Sequence, residues 1–598
     1  MGIYQKAIKT YDTLKKLESE EMLPSAREPL GGIGCKVVSV GYIINLDLAG
    51  NVTSITRGDD KAPIPVTEKS ESRTSGACPH PFHEQICYAS SADGKRHPLY
   101  MESLKAFADY TGDARIRSVI TYLEKDTLMS DIEAFEQSLL KEGKKPKKID
   151  LKSIIYWTFD GFEKEGSEDI IQLFRRYYMD TVVSKREKVL CMFTGETDYP
   201  TRDHPKSVMV TSGNGKLISA GGCEDDPTKY LGKFRTIDEA LTISYTASQK
   251  AHAALRWLCT NTGIQCGSTH ILCWDEKMSS LPSLGRPIVN GTAAEEKPAY
   301  TKDEYLKQLA LAVKEYMNGL GVMGDICTAS IRPSVKGRIA ISQYIETKAP
   351  IFLERLRDWD EWCSCMSRAG TVMSPGLYDI SKYAYGIPSK TGTNITDGDL
   401  ESSLPRLITC RTEGMPIPKD IVYNILEKAD RLMLYPTAGG GASQRERLLF
   451  TLCSVLRKYK KDYDREEYGM ALEENKNDRS YQFGRLLAVF EKYEYDTFDE
   501  DEKKKRQTNA LRLQSTFSKR PVYGMRVIKE QLQKGYAHKH SAGARVYYDK
   551  LVGEIMDKLS AYPDSELNKP LEGTYILGYY MQKNALYTKK QDSAEAEA

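Results

Sequence analysis

The chain has 598 residues, of which 40% are hydrophobic and 28% charged, and its net charge is +2. That length leaves room for more than one domain and a large core, and the composition is that of a globular protein rather than a fibrous or low-complexity one. No apolar run is long enough to cross a bilayer, so a membrane partner is not expected, and the near-neutral total means that charge must be read segment by segment. The thirteen cysteines are odd in number and scattered without framework spacing, which predicts reduced thiols and a cytoplasmic setting.

The N-terminal stretch MGIYQKAIKTYDTLKKLESEE places Tyr4, Ile8, Tyr11, Leu14 and Leu17 at helical spacing with lysines between them, which predicts a helix and neither a signal nor a transit peptide. CKVVSVGYIINLDLAGNVTSI reads as strand, Gly-Asn turn, strand. KVLCMFTGE predicts a buried strand. KSVMVTSGNGKLISAGG predicts a hairpin that turns at Gly213-Asn214-Gly215 with Lys216 at its shoulder. Thr236 and Glu239 form a capping-box pattern, which predicts a helix carrying Ile237, Leu241, Ala251, Leu255 and Leu258, with THILCWDE as a strand after it. The Gly-, Ser-, Thr- and Pro-rich residues 381–404 read as a linker between an N-terminal domain, 1–380, and a C-terminal one, 405–590. Beyond the linker the pattern is helical: Ile421–Leu432, a helix capped by Ser443 and Glu446 after the loop TAGGGAS, Phe483–Phe490, Leu551–Leu559, and a last helix around YILGYYMQKNALYTKK. Residues 591–598, QDSAEAEA, read as a disordered tail. The expected fold class is therefore α+β: a mixed N-terminal domain with antiparallel sheet and hairpins, followed by a C-terminal α-helical bundle.

Catalytic signatures are missing. GNGKL at 213–217 lacks the first glycine and the final Ser or Thr of a phosphate loop, GIPSKT at 386–391 lacks the glycine before its lysine, and no HExxH, GxSxG or CxxC pattern occurs. PDSELNK near Asp564 is too compressed to be a nuclease carboxylate set. One stretch invites a metal: RTSGACPHPFHEQICY, residues 73–88, holds Cys78, His80, His83 and Cys87 within ten positions. Common zinc sites pair two-ligand knuckles across a longer loop, which this crowding does not match. Two other readings stand beside zinc. One is an ordered surface loop with a buried cysteine. The other is a nucleic-acid reading loop, with Arg73 supplying donors, His80 and Gln85 addressing base edges, and Tyr88 stacking. A second charged feature lies downstream: from Lys503 to Lys550 thirteen Lys or Arg face two acids, Glu530 and Asp549, a surplus of eleven in 48 residues. This is either a solvated helical face or a phosphate-tracking surface.

The chain resembles the large subunit of the type I-C CRISPR interference complex (Cascade) nearly end to end. RTSGACPHPFHEQICY is similar to the family's Arg-Ser/Thr-Ser-Gly motif through Arg73 to Gly76, Pro79 and Tyr88, with His80 in place of Asn and Glu84-Gln85 in place of Asp-Asn. GNGKLIS resembles its glycine hairpin, although SAG stands at 219–221 where the family has Ser-Phe-Asn. LITCRTEGMPIPKDIV resembles its helix-Thr-Gly-x-x-Tyr-Pro segment, with Ile417 replacing an aromatic residue, and YQFGRLLAVFEKYE and LEGTYILGYYMQKNALYTKK resemble its C-terminal signatures. The resemblance implies a prokaryotic, cytoplasmic subunit with no catalytic activity and no cofactor. It implies partners: guide crRNA with backbone, crRNA-processing and small subunits, target double-stranded DNA, and a helicase-nuclease. It implies recognition of the duplex motif flanking the target (the PAM), help in opening the duplex, and support of the R-loop, since guide pairing itself reads the target sequence. On this reading Arg73, His80, Gln85, Tyr88, Asn214 and Lys216 face the PAM, and Lys503, Lys504, Lys505, Arg506, Arg512, Lys519, Arg520 and Arg526 guide the displaced strand. The family also makes a separate small subunit from an internal start. Met470 is the candidate here, giving residues 470–598, and Met433 is disfavoured because it is expected inside a helical stripe. The rival functions are a metal-dependent nuclease and a scaffold that reads no PAM.

Overall fold

The structure, a computed structural model, describes residues 2–596 apart from 24–25, 74–75, 161–164, 221–228, 322–323, 336, 390–391 and 436–443; side chains at 142, 165–169, 210, 296, 504–505 and 588–596 are also left out. It has the expected α+β class, with small, mostly antiparallel sheets in the N-terminal part and helices through the C-terminal part. The chain forms two compact units, Met1–Met278 with Cys327–Ile345, and Ser279–Ile326 with Glu346–Ala598.

In the first unit the long strand β1 (Cys35–Leu46) carries a sheet with β2 (Val52–Arg57), β3 (Lys61–Pro65), β4 (Glu84–Gln85) and β5 (Ile154–Phe159). β2 and β3 run antiparallel to β1, as a hairpin reading requires, whereas β5 runs parallel to it and β4 pairs antiparallel with β5. Val40, Tyr42, Ile44 and Leu46 alternate into the core, joined by Phe82, Tyr100, Phe107, Ile116 and Trp157. The N-terminal helix Ile3–Ser19 buries Tyr4, Tyr11 and Leu14 and packs on helix Tyr245–Asn261. A second sheet follows the order Ile339–Lys348, Asp325–Pro333, Thr269–Asp275, Ile264–Cys266.

Three local expectations give way in this unit. KVLCMFTGE is not a buried strand: Val189–Leu190 pairs with Thr197–Asp198 in a tiny hairpin, and Leu190 and Met192 are exposed around a buried Cys191. The Thr236 capping box is real, but its helix is one turn, Ile237–Ala240. The backbone then extends, because Thr242 and Ile243 accept main-chain bonds from Met192 and Thr201, and Ser244 caps a new helix. The third is the glycine hairpin. Val210–Ser212 is a single 3-10 turn, and the segment closes through one bridge, Lys206 to Lys216, with a second bridge from Lys216 to Arg338. The end of that expected hairpin, from residue 221, lies outside the described residues.

The second unit is helical. Lys302–Leu320 packs on Ala349–Trp362, Leu377–Tyr385 packs on both Asp397–Glu413 and Lys419–Ala429, and Lys419–Ala429 packs on Gln444–Tyr459. Its centre is the crossing of Arg479–Tyr495 with Thr574–Ala596. Gly484 and Gly578 meet there: a Cβ on Gly484 would land on the Tyr575 carbonyl, and one on Gly578 on that of Tyr481. The two backbones therefore touch, which only glycine permits.

The expected division at 381–404 does not coincide with these units. That span holds the end of Leu377–Tyr385, a ladder between Ile387–Pro388 and Thr393–Asn394, and the start of Asp397–Glu413, where Thr396 Oγ1 accepts the Asp399 N–H at 3.1 Å. Its turn-forming residues connect elements of one unit. The cap expected at Ser443, the loop before it and the last two residues of the expected tail lie outside the described residues, and the final helix runs to Ala596.

Candidate nucleic-acid interface

The stretch 73–88 is organised around one carboxylate. Glu84, fully buried on β4, receives Arg73 in a fork, Nη1 to Oε2 at 2.7 Å and Nη2 to Oε1 at 3.0 Å. It also accepts the backbone N–H of His80 on Oε2 and that of Gln85 on Oε1 at 2.6 Å. Arg73 Nη1 further donates to the Cys78 carbonyl at 2.7 Å, and its guanidinium lies 4.8 Å from the centroid of the Tyr88 ring. The Tyr88 hydroxyl accepts the Cys78 N–H at 3.2 Å. Burial opposes the charge of Arg73, but the Glu84 bonds more than offset it and hold the guanidinium above its ordinary value. Arg73, Glu84 and Tyr88 thus brace the loop from within.

The expected base readers are placed mostly within the loop. Arg73 is spent on Glu84, Tyr88 is 3% exposed, and His80 is 5% exposed with Nδ1 turned to Ser70 Oγ at 2.9 Å. Burial, then Arg73, Lys36 and Lys206, hold the His80 imidazole well below its usual range, so it is neutral. Arg73 keeps 15% of its side chain exposed. Gln85 stays half-buried, its side-chain oxygen 3.8 Å from Cys87 Sγ.

The four metal candidates are not brought together. His83 stacks on Tyr156 at 3.9 Å, and its Nδ1 accepts the Trp157 N–H at 3.0 Å. Burial pushes its imidazole down to about 3. Cys78 faces a cavity of about 690 Å³ that Lys69, Arg186 and Arg202 also line. Burial raises both the Cys78 and Cys87 thiols, away from the thiolate a metal needs. Among the described residues no group of three or more His, Cys, Asp or Glu could hold a metal ion.

The segment 206–216 lies against this loop. The Lys206 ammonium donates to the Arg73 carbonyl, and Arg256 holds the Lys206 and Ser207 carbonyls at 2.6 and 3.1 Å. Gly215 is fixed by crowding, since a Cβ there would stand 2.9 Å from Ile339 Cγ2. Asn214 is exposed and Lys216 half-buried, so both keep a surface. Burial, then Lys36, Arg73 and Lys216, push the Lys206 ammonium down to about 8. Lys206 carries no local sequence signal, because its place beside Arg73 depends on the bridge between Lys206 and Lys216.

The basic segment of the second unit divides in two. Lys503 pairs with Glu500 at 2.7 Å, and Arg506 pairs with Glu502 at 2.5 Å while donating to the Tyr536 hydroxyl at 2.8 Å. The acidic run just upstream therefore pairs with Lys503 and Arg506. Side chains of Lys504 and Lys505 lie outside the described residues. Arg512 donates to Asn509 Oδ1 at 2.6 Å. Lys519, Arg520 and Arg526 are exposed, and Tyr523, 48% exposed, sits between the last two. Tyr523 stands at helical spacing from Arg520 and Arg526, on helix Pro521–Gly535.

Met470 is buried, and its carbonyl accepts the Met366 N–H at 2.8 Å. Met433 is not inside a helical stripe as expected. It is exposed on the 3-10 turn Leu432–Leu434, because the preceding helix ends at Ala429.

The loop 73–88 is thus a clamp closed on Glu84, with the Lys206–Lys216 bridge beside it. Residues 8–587 match the family described as CRISPR-associated protein (Cas_Csd1), and the chain belongs to that family. No curated protein matches the chain. Among the described residues no helix is long and apolar enough to cross a membrane.

Proposed function

We propose that this chain is the non-catalytic large subunit of a type I-C CRISPR RNA-guided surveillance complex (Cascade) in the prokaryotic cytoplasm. It contacts the PAM in target double-stranded DNA, helps open the duplex, stabilises the R-loop and recruits the helicase-nuclease. Its other partners are the guide crRNA with backbone, processing and small subunits. The observation that carries the reading is family membership over residues 8–587. The physical support is local. The braced loop 73–88 leaves the Gln85 amide half-exposed, the neighbouring segment presents Asn214, and an amide can donate and accept at a base edge. Lys519, Arg520 and Arg526 around Tyr523 combine cations with a stacking ring, which suits a single strand irrespective of sequence.

Gel shifts of the assembled complex on targets with randomised flanking bases test the reading. Flank-dependent binding is expected, with about 1–3 kcal/mol per base contact. Equal binding to every flank would leave a scaffold that reads no PAM, and DNA cleavage by the purified chain with Mg²⁺ or Zn²⁺ would replace it with a nuclease. Residues 470–598 are proposed as a separately made small subunit. They keep the Gly484–Gly578 crossing whole, and Met470→Leu should abolish a short product detected by mass spectrometry.

A further inference from the structure

One exposed turn of the first unit joins aromatic rings to cations. Residues 229–235, KYLGKFR, hold two aromatic residues, three cations and no acid. Leu231 is buried and anchors the turn, while Tyr230 is 48% and Phe234 42% exposed on either side of it. The Phe234 N–H donates to the Leu231 carbonyl at 3.2 Å, and Gly232 takes the left-handed conformation between them, at φ +62°. Tyr230 takes that conformation too, at φ +67°, which is sterically costly for a bulky side chain. Burial of the ring would be the ordinary compensation, and a ring this exposed collects little of it.

The rings nevertheless have fixed company. The guanidinium carbon of Arg338 lies 4.6 Å from the Tyr230 ring centroid and the Lys229 ammonium 5.8 Å from it, and the Lys233 ammonium lies 5.6 Å from the Phe234 centroid. Arg338 sits in a closed turn: its N–H donates to the Val335 carbonyl at 2.8 Å, and its carbonyl accepts the Ser334 N–H at 3.0 Å. Its neighbours bond Lys216, whose N–H donates to the Gly337 carbonyl and whose carbonyl accepts the Ile339 N–H, each at 3.1 Å. Lys216 is two residues from exposed Asn214, so the rings adjoin the segment proposed above to face the flanking bases.

The cations here are uncompensated. Among the described residues no carboxylate lies within ion-pair distance of Lys229, Lys233, Arg235 or Arg338. The nearest acids in the chain on the downstream side are occupied: Asp238 pairs with Arg202 at 3.2 Å, and Glu239 accepts the Arg235 backbone N–H at 3.0 Å. Glu224, Asp225 and Asp226, upstream, lie outside the described residues. An apolar protein face laid on these rings would desolvate the cations beside them. A single nucleic-acid strand suits both features, since its bases stack on rings and its phosphates take the ammonium groups. A duplex offers only its phosphates, because its base faces already cover one another.

We infer that Tyr230 and Phe234, with Lys229, Lys233 and Arg338, form a stacking platform for unpaired nucleotides of a single nucleic-acid strand. Assigning that strand to the displaced strand of target DNA rests on the proposed function; the platform itself rests on the ring and cation geometry.

Tyr230→Gly and Phe234→Ala test it in the isolated full chain, with fluorescent oligo-dT and oligo-U as probes. Each variant is expected to weaken binding of both probes by about 5- to 150-fold, with the slope of log K against log salt unchanged because no phosphate contact is lost. Lys229→Met with Lys233→Met should instead lower that slope by roughly 0.7 per lost contact. Tyr230→Gly should keep or raise Tm, because glycine relieves the left-handed conformation, and Tyr230→Trp should bind as the parent chain does. Unchanged affinity in both aromatic variants overturns the platform, as does equal loss in Tyr230→Trp, which would mark a packing residue. Failed subunit assembly in the aromatic variants with oligonucleotide binding intact would overturn it in favour of a protein contact. In the assembled complex, iodouracil in the displaced strand beside the flank should photocross-link within residues 229–235, mapped by mass spectrometry. A cross-link from iodouracil in the guide RNA instead would overturn the assignment to DNA. A wild-type complex that binds all flanks alike overturns the PAM reading, while the oligonucleotide result would leave the platform standing.

Discussion

Glu84→Gln isolates the clamp with almost no change of shape. Each Glu84 oxygen accepts one Arg73 bond and one backbone N–H, Oε2 from Nη1 and His80, Oε1 from Nη2 and Gln85. Whichever oxygen becomes the amide NH₂, one guanidinium donor and one buried N–H then face another donor. A lost charge-assisted bond costs about 1.5–3 kcal/mol and a buried unsatisfied N–H about 1–3. The sum agrees with the roughly 3–5 kcal/mol for breaking a buried ion pair from one side. For a unit of about 300 residues this corresponds to a Tm decrease of about 5–8 °C. Differential scanning calorimetry should show the decrease in the transition of the first unit alone. Arg73→Met combined with Glu84→Gln should recover at least about 1.5 kcal/mol in a double-mutant cycle, because the unpaired guanidinium is gone. A Glu84→Gln decrease under 2 °C, or additive single and double variants, would refute the clamp.

Acid should weaken the first unit before carboxylates titrate. Burial pushes His83 to about 3, His204 to about 3 and His252 to about 4, against 6.5 when unfolded. Their stability contribution is complete above pH 6.5 and is lost as pH falls towards 3–4, because only the unfolded chain takes up protons in that window. Three such groups cost about 6 kcal/mol between pH 6.5 and 5 as an upper bound, and a Tm that stays flat over that range refutes it. In target binding, Arg520→Glu with Arg526→Glu should lower the salt slope by roughly 0.7–0.9 per lost contact for every flank. Lys503→Glu with Arg506→Glu should lower it less, since Glu500 and Glu502 already neutralise that pair; equal effects in filter binding would remove the distinction. Gly578→Ala should destabilise the second unit by about 3 kcal/mol or more, because backbone rather than a movable side chain blocks the methyl. Gly553→Ala, with no atom near, should stabilise by about 0.5–1 kcal/mol. Matching Tm shifts in the two variants would contradict the close crossing.

Legibility followed the range of the forces. Tyr4, Tyr11 and Leu14, or Ile421, Val422 and Ile425, announce helices because one buried face repeats every turn. The Thr236 box announced a true helix start but not its length, which main-chain bonds from residues 192 and 201 decide. The return of 327–345 to the first unit leaves no local trace, and the turn-forming residues at 381–404 looked like a boundary because composition cannot distinguish a linker from a packed turn. The polar stretch 73–88 is the sharpest case. Its residue types suit a base reader, yet whether Arg73 and His80 point outward depends on Glu84, which β5 places by pairing with β4. The eleven-charge surplus was equally ambiguous until Glu500 and Glu502 separated its neutralised end from Lys519, Arg520 and Arg526.

The glycine crossing has a consequence for biosynthesis. Its two halves lie nearly a hundred residues apart in the chain, and the later one, Thr574–Ala596, supplies the central strut against which Arg479–Tyr495 rests. The helical unit cannot form that crossing until translation has passed Gly578. The sheet-bearing unit takes its latest segment from Cys327–Ile345, so most of its residues are made before the helical crossing can form.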